Sequence, residues 1–382
     1  MNFELTEEHQ MIRETVRDFA EREIRPVARE LDEKAEFSVE LTAKMGELGL
    51  FGMYLPEKYG GQGLDTLAYI IAVEELARVD GSQAATLAAH NSLGIGPLYY
   101  YGTEEQKMKY LPQLCTGKAL WGFGLTEPNA GSDSRGTKTT AHPDGDHWVI
   151  NGSKIFITNG SADISIGSCV QTVTKTLDNG KKEFTTFIVE KGTPGFKRVG
   201  MHGKMMWRAS DTAELYFDDC RVPKENLLGE IGQGSRIMLS TLDNGRLSIA
   251  AMGLGAAQGA FELALQYSQE RKQFGKPISK FQVNAFKLAD MAVKIEHARW
   301  FLYRTCWLKD NGKPFAKEAA MAKLYCSETA RDVANEAVQI HGGYGLMKDY
   351  DVERIFRDQR LLQIGEGTSE IQRLVISRHL GL

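Results

Sequence analysis

The chain has little with which to cross-link or metallate itself. Its five cysteines, Cys115, Cys169, Cys220, Cys306 and Cys326, form no CxxC pair and are odd in number. That excludes a full disulfide framework or a zinc knuckle and points to a reducing compartment. The eight histidines include no HExxH, so no metal site is expected, and no GxxxxGK[ST] phosphate loop is present. Charge of one sign is also missing. Against 46 basic residues stand 50 acidic ones, a net charge of −4 spread along the chain. This offers no basic stripe for nucleic acid and no polybasic membrane anchor. The uncharged stretch from Leu247 to Phe261 contains Gly, Ser and Gln and is too short to span a bilayer, so it reads as a buried helix. The acidic start, Met1 to Glu8, lacks the basic and apolar regions of a signal peptide and the Arg-rich bias of a presequence. The expected location is the bacterial cytoplasm, or the mitochondrial matrix for a processed form.

What is present falls into three parts. Residues 1–118 read as helical, with Thr6 as an N-cap and a period running through Ile12, Val16, Phe19, Ile24 and Val27. Pro26 is expected to kink or end that helix, and Thr66 to Val79 to form a buried one. Residues 119–228 are rich in Gly, Thr, Val and Asn and read as β. His147–Ile150 and Lys154–Thr158, joined by Asn151-Gly152, suggest a hairpin; Asp178-Asn179-Gly180 suggests a second, and Ala213–Phe217 another strand. Residues 229–382 return to helix. Phe286, Ala289, Val293, Trp300 and Trp307 mark one face of a long helix, and Phe315 to Ile340 form another, ended by Gly342-Gly343. The class is α+β: a helical domain, a β-barrel-like domain and a four-helix-bundle domain.

Three segments could carry chemistry. In Gly365-Glu366-Gly367-Thr368-Ser369-Glu370-Ile371-Gln372, Ser369 and Gln372 have capping-box spacing. A helix starting near Glu370 leaves Glu366 in the preceding loop, between glycines that let a ligand approach. Local sequence alone fits a solvated glutamate better. Phe123-Gly124-Leu125-Thr126-Glu127-Pro128 to Asp133 is a turn-rich loop that could wrap a cofactor or be a plain connection. Arg271-Lys272-Gln273-Phe274-Gly275 combines a phosphate-binding cation type with an aromatic, or is a solvated helix end. Gly253-Leu254-Gly255 is no dinucleotide fingerprint, because no strand precedes it; close helix packing explains it.

Taken together with Ile157-Thr158-Asn159-Gly160 and Gln339-Ile340-His341-Gly342-Gly343, these segments resemble, in order and over the whole chain, the acyl-CoA dehydrogenase family. Leu242-Asp243-Asn244-Gly245-Arg246 is similar to the short-chain, butyryl-type branch. The resemblance implies an FAD-dependent α,β-dehydrogenation of an acyl-CoA to the 2-enoyl-CoA. Electrons would pass to electron-transferring flavoprotein, in a homotetramer with shared FAD sites. It makes Glu366 the base that takes the pro-R α-proton, with the thioester oxygen polarised by the Glu366 amide and a ribityl hydroxyl. Burial should raise the Glu366 pKa. Phe123, Leu125, Thr126, Phe156 and Thr158 would surround the isoalloxazine. Ser132 would lie between cofactor and CoA. Arg271, Phe274, Gln282, Gln339, Gly342 and Gly343 would hold pyrophosphate and adenosine, partly across a subunit interface. Thr368 and Glu370 would also touch FAD, while Asp243, Arg246 and Gly367 would face substrate.

Some relatives carry the base near position 245, which here is Gly245 and cannot serve. Where the family often has a bulky aromatic, this chain has Gly365. That departure suggests an acyl pocket open to branched or cyclic chains. An oxidase passing electrons to dioxygen, or a non-catalytic CoA-binding scaffold, would share the same motifs.

Overall fold

The computed structural model describes residues 4–382, so Met1, Asn2 and Phe3 of the acidic start lie outside the described residues. Seven helices come first: α1 (Glu7–Phe19), α2 (Arg25–Lys34), α3 (Val39–Glu47), α4 (Thr66–Val79), α5 (Gly81–Ala89), α6 (Gly96–Tyr101) and α7 (Glu104–Leu114). Side-chain caps start five of them, while α2 and α6 continue from π-turns without one. The Thr6 hydroxyl accepts from His9 N, Asp65 from Ala68 N, and Asp80 from Gln83 N. Pro26 does not end the first helical stretch. A π-turn over Ala20–Ile24 takes up the mismatch, and Pro26 sits in the first turn of α2, where its missing N–H costs nothing. A second π-turn, His90–Ile95, joins α5 to α6.

The middle domain is β1 (Leu120–Gly124), β2 (Thr140–Asp144), β3 (His147–Thr158), β4 (Ser165–Thr176), β5 (Lys182–Glu190), β6 (Phe196–Gly200), β7 (Thr212–Pro223) and β8 (Leu227–Leu228). The sheet order is β6-β7-β3-β2-β4-β5-β8, with β1 parallel on β4. End strands β6 and β8 do not pair with each other, so the sheet does not close into a barrel. The expected hairpin about Asn151-Gly152 does not exist. His147 to Thr158 is one strand, and Asn151-Gly152 is an irregularity in its ladder with β7, Gly152 having φ +142°. Asn151 instead bonds Asp219 through both its amide nitrogen and its oxygen. A bulge uses the same residues as a turn, which is why Asn-Gly misled. The true partner of the strand is β2, across Gly145. The second expected turn, Asp178-Asn179-Gly180, does join β4 to β5.

The C-terminal helices are α8 (Gly234–Glu270), followed by the small ribbon β9 (Lys272–Gln273) and β10 (Lys276–Pro277). Then come α9 (Gln282–Asp310), α10 (Ala316–His341), α11 (Val352–Asp358) and α12 (Ser369–His379). α8 packs along α10 on one side and α4 on the other; α9 packs on both α8 and α10, and α12 on α10. Its glycines permit this. A Cβ on Gly255 or Gly259 would lie 2.2 and 2.0 Å from the Glu74 and Arg78 carbonyl oxygens of α4, and one on Gly253 2.8 Å from the Cys326 carbonyl of α10. Long and apolar enough by composition to cross a membrane, α8 is buried in the protein centre.

Two expectations shift. The apolar face read on α9 is the outward one: Phe286, Val293, Trp300 and Trp307 are exposed, while Leu288, Met291, Ile295, Ala298 and Leu302 meet the core. The helix is apolar on both sides, so periodicity could not tell them apart. The cap of α12 is Thr368, whose hydroxyl accepts from Ile371 N, and not Ser369. Gln372 is thereby freed for another task.

Candidate functional site

The loop Gly365-Glu366-Gly367 lies between a 3-10 turn (Gln359–Gln363) and α12. Glu366 has φ +53°, a conformation that costs a non-glycine residue about 1–3 kcal/mol and persists only when neighbours enforce it. They do. Gln372 donates its amide N–H to the carbonyls of Glu366 (3.2 Å) and Gly367 (2.9 Å). The Lys323 ammonium, from α10, donates to the Gly367 carbonyl at 2.7 Å.

The loop so held turns the Glu366 carboxylate inward onto α8. A Cβ built on Gly245 would sit 1.8 Å from Glu366 Oε2 and 3.1 Å from Leu93 Cδ2. Gly245 is therefore more than a position unable to act as base: its missing side chain is the space the carboxylate occupies. Oε2 is buried and has no hydrogen-bond partner. Burial pushes the Glu366 pKa up to about 7, opposed by the charges of Lys323 and Arg246. A buried carboxylate oxygen left without a partner stands ready to accept a proton.

Beside it lies an apolar wall. Phe123, Leu125 and Met238 form a small cluster flanked by Leu93 and Leu242. Leu93, on the second π-turn, belongs both to this wall and to the surroundings of the carboxylate. Arg246 is buried one residue beyond Gly245 and pairs with Asp243. Gly365 does not open onto this space in its first atom: a Cβ there would meet Leu361 at 3.5 Å.

The other expected residues form two groups. In the first, Thr126 accepts Ile155 N through its carbonyl, tying the Leu125–Pro128 loop to β3. The β3 ladder slips between Lys154 and Ile157, and Phe156, at φ +61°, is thrown outward with 64% of its surface exposed. Thr158 is half-buried and Ser132 exposed. A buried ion pair underpins the group. Lys154 Nζ lies 2.8 Å from Glu127 Oε1, and the same carboxylate accepts from Lys138 N (2.7 Å) and Thr139 N (3.0 Å). Burial opposes ionisation of both partners and brings Lys154 down to about 8, but Lys154 and the amides still hold the Glu127 carboxyl below its usual range.

In the second group, Arg271, Gly342 and Gly343 line a cavity of about 630 Å³ with Tyr267, Ile278 and His341. The Arg271 guanidinium lies 5.5 Å from the Tyr344 ring centre, and a Cβ on Gly342 or Gly343 would meet nothing. Gln282, Phe274 and Gln339 are all exposed. None of Phe123, Leu125, Thr126, Phe156 and Thr158 lines this cavity. A flat group has an exposed aromatic face at the first site, and an anion has a cation and open glycine backbone at the second. These are the features a dinucleotide with a planar ring needs.

Known proteins settle the family. Models of the acyl-CoA dehydrogenase N-terminal, middle and C-terminal domains match residues 6–118, 122–220 and 232–381. The chain belongs to the acyl-CoA dehydrogenase family. It is 49% identical over 378 residues to a short-chain-specific acyl-CoA dehydrogenase of Clostridium acetobutylicum, covering 99% of each chain. The solved butyryl-CoA dehydrogenase of Megasphaera elsdenii superposes with a TM-score of 0.96 at 45% identity, with all of both chains covered. A chain solved in work on the electron-transferring flavoprotein of Acidaminococcus fermentans gives 0.96 at 48% identity, covering 100% of this chain and 99% of that one. As a family member the protein is an FAD-dependent oxidoreductase.

Sequence reading missed the roles of Lys154, Lys323 and Leu93, and took Gln372 for half of a capping box when it holds the Glu366 and Gly367 carbonyls. Lys323 had a signal: it is a charge on the apolar face of α10, between Ala319, Ala322 and Cys326. Leu93 had none, since π-turns leave no periodicity.

Proposed function

We propose that the protein dehydrogenates a short-chain acyl-CoA to the 2-enoyl-CoA with Glu366 as base and electron-transferring flavoprotein as acceptor. The observation that carries this is the partnerless, buried Glu366 Oε2 packed into the gap at Gly245. FAD, when bound, supplies the hydride acceptor. Phe123, Leu125, Thr126, Phe156 and Thr158 would hold its ring system. Arg271, Phe274, Gln282, Gln339, Gly342 and Gly343 would hold its pyrophosphate and adenosine from a second subunit, with Thr368 and Glu370 closing the loop side. Sharing between subunits is supported by the separation of the two groups and by the exposed apolar face of α9, which a homotetramer would cover. Ser132, Asp243, Arg246 and Gly367 would border the CoA thioester.

In the reaction the Glu366 carboxylate takes the α-proton, and the apolar wall of Leu93, Phe123, Leu125, Met238 and Leu242 excludes water. Exclusion keeps the carboxylate basic and protects the charge that develops on the thioester oxygen. The short acyl chain is proposed from the butyryl-CoA and short-chain relatives. Gly365 lends a branched or cyclic chain no support, because Leu361 lies beside it. A cytoplasmic location is proposed from the five buried, free cysteines.

The test is anaerobic titration of the FAD-loaded protein with butyryl-, isobutyryl- and cyclohexanecarboxyl-CoA, for wild type and Glu366→Gln. Bleaching of the flavin band by butyryl-CoA, lost in the variant, is expected. No bleaching by any thioester refutes the substrate class, and bleaching retained in the variant refutes the base. Peroxide release matching turnover without the flavoprotein acceptor would make the protein an oxidase.

A further inference from the structure

Lys323 is the only Lys, Arg, Asp or Glu among the buried residues of α10. Its side chain is wholly removed from water, and its ammonium reaches the Gly367 carbonyl at 2.7 Å. A cation taken out of water needs a compensating charge. The groups around it come from four elements. Arg246 on α8 has the same sign and is engaged by Asp243. Tyr69 on α4, which faces Glu366, is neutral and donates its hydroxyl to Ser248 or the Ala88 carbonyl. Glu370 on α12 is exposed. Glu366 is the buried carboxylate that remains, and it in turn lacks a hydrogen-bond donor of its own.

We propose that Lys323 is a positioning residue for the base: it fixes the Gly365–Gly367 loop through the Gly367 carbonyl and its charge keeps Glu366 ionised near neutral pH. The inference rests on the reading of Glu366 as base. Burial alone would leave the carboxyl protonated and unable to take a proton. The Arg246 charge is largely met by Asp243, so the uncompensated cation is Lys323. Burial draws Lys323 down to about 8, while the Glu366 charge opposes that fall. The two groups therefore support each other's charged forms.

The experiment is an infrared titration of the Glu366 carboxyl in the FAD-loaded protein without substrate. The band is identified by its loss in Glu366→Gln. Wild type, Lys323→Met and Lys323→Gln are compared; glutamine keeps a donor for the Gly367 carbonyl but loses the charge. The wild-type midpoint should rise by about one pH unit or more in both variants. The acid limb of flavin reduction by butyryl-CoA should move with it. Midpoints unchanged in both variants overturn the proposal, whatever happens to the rate. If neither variant folds, nitrogen NMR of Lys323 decides in the Glu366→Gln protein. Linkage is reciprocal, so loss of the carboxylate must lower the Lys323 midpoint, and an unchanged one overturns the proposal. Neither titration uses an acyl-CoA, so failure here is separable from failure of the substrate reading.

Discussion

Gly245→Ala adds one methyl group, 1.8 Å from Glu366 Oε2. A normal contact is roughly 3.4 Å or more, so the carboxylate must retreat by more than about 1 Å. The atom in the way is the tip of a side chain, while the backbone of α8 is already helical and prefers alanine to glycine by about 1 kcal/mol. Stability should therefore hold or rise slightly. Catalysis should not. A base displaced by about 1 Å loses near-attack geometry, a loss on the order of 10²-fold, or about 2.7 kcal/mol of barrier. The assay pairs thermal denaturation with stopped-flow flavin reduction by butyryl-CoA. Reduction within a few-fold of wild type would refute the claim that the Gly245 gap positions the base. A collapse in melting temperature would refute the claim that the clash is local.

Gly259→Ala should behave in the opposite way, because its Cβ meets the Arg78 backbone carbonyl at 2.0 Å. α4 and α8 must separate, at about 1–3 kcal/mol or more, seen as a lower melting temperature. Glu366→Gln should stabilise the protein at pH 8 by roughly 3 kcal/mol and at pH 5 by less than about 1 kcal/mol. The carboxyl pKa is raised on folding from 4.5 to about 7, so stability is lost as pH rises through the folded value, and glutamine removes that loss. Melting curves at the two pH values check it; equal effects would refute it. Lys154→Met leaves the Glu127 carboxylate buried and unpaired and should cost about 3–5 kcal/mol. Glu127→Gln added to it should recover part of the loss, which a double-mutant cycle in denaturant would measure.

Much of the molecule follows from local chemistry alone. The apolar run from Thr66 to Val79 is α4 to the residue, and Asp65 just before it accepts from Ala68 N as its cap. Gly342 ends α10 because φ +62° suits glycine. Its neighbours placed Glu366 in a glycine-flanked loop just before a helix, but locally it read as a solvated glutamate, and only the resemblance to the family made it the base. These are interactions between residues a few positions apart, and the order of segments then named the family.

What the tertiary structure alone decided are relations between distant segments. Asn151-Gly152 is a bulge because β7 supplies a partner on the far side. The α9 face with Trp300 and Trp307 points outward because Leu288 and Met291 meet α8 and α10 first. The Glu366 pKa, the Lys323 contact and the gap at Gly245 arise where α8, α10 and the 365–367 loop meet. A carboxylate's proton affinity depends on the water removed from it and the charges left nearby, and both are set by packing rather than by neighbours in the chain.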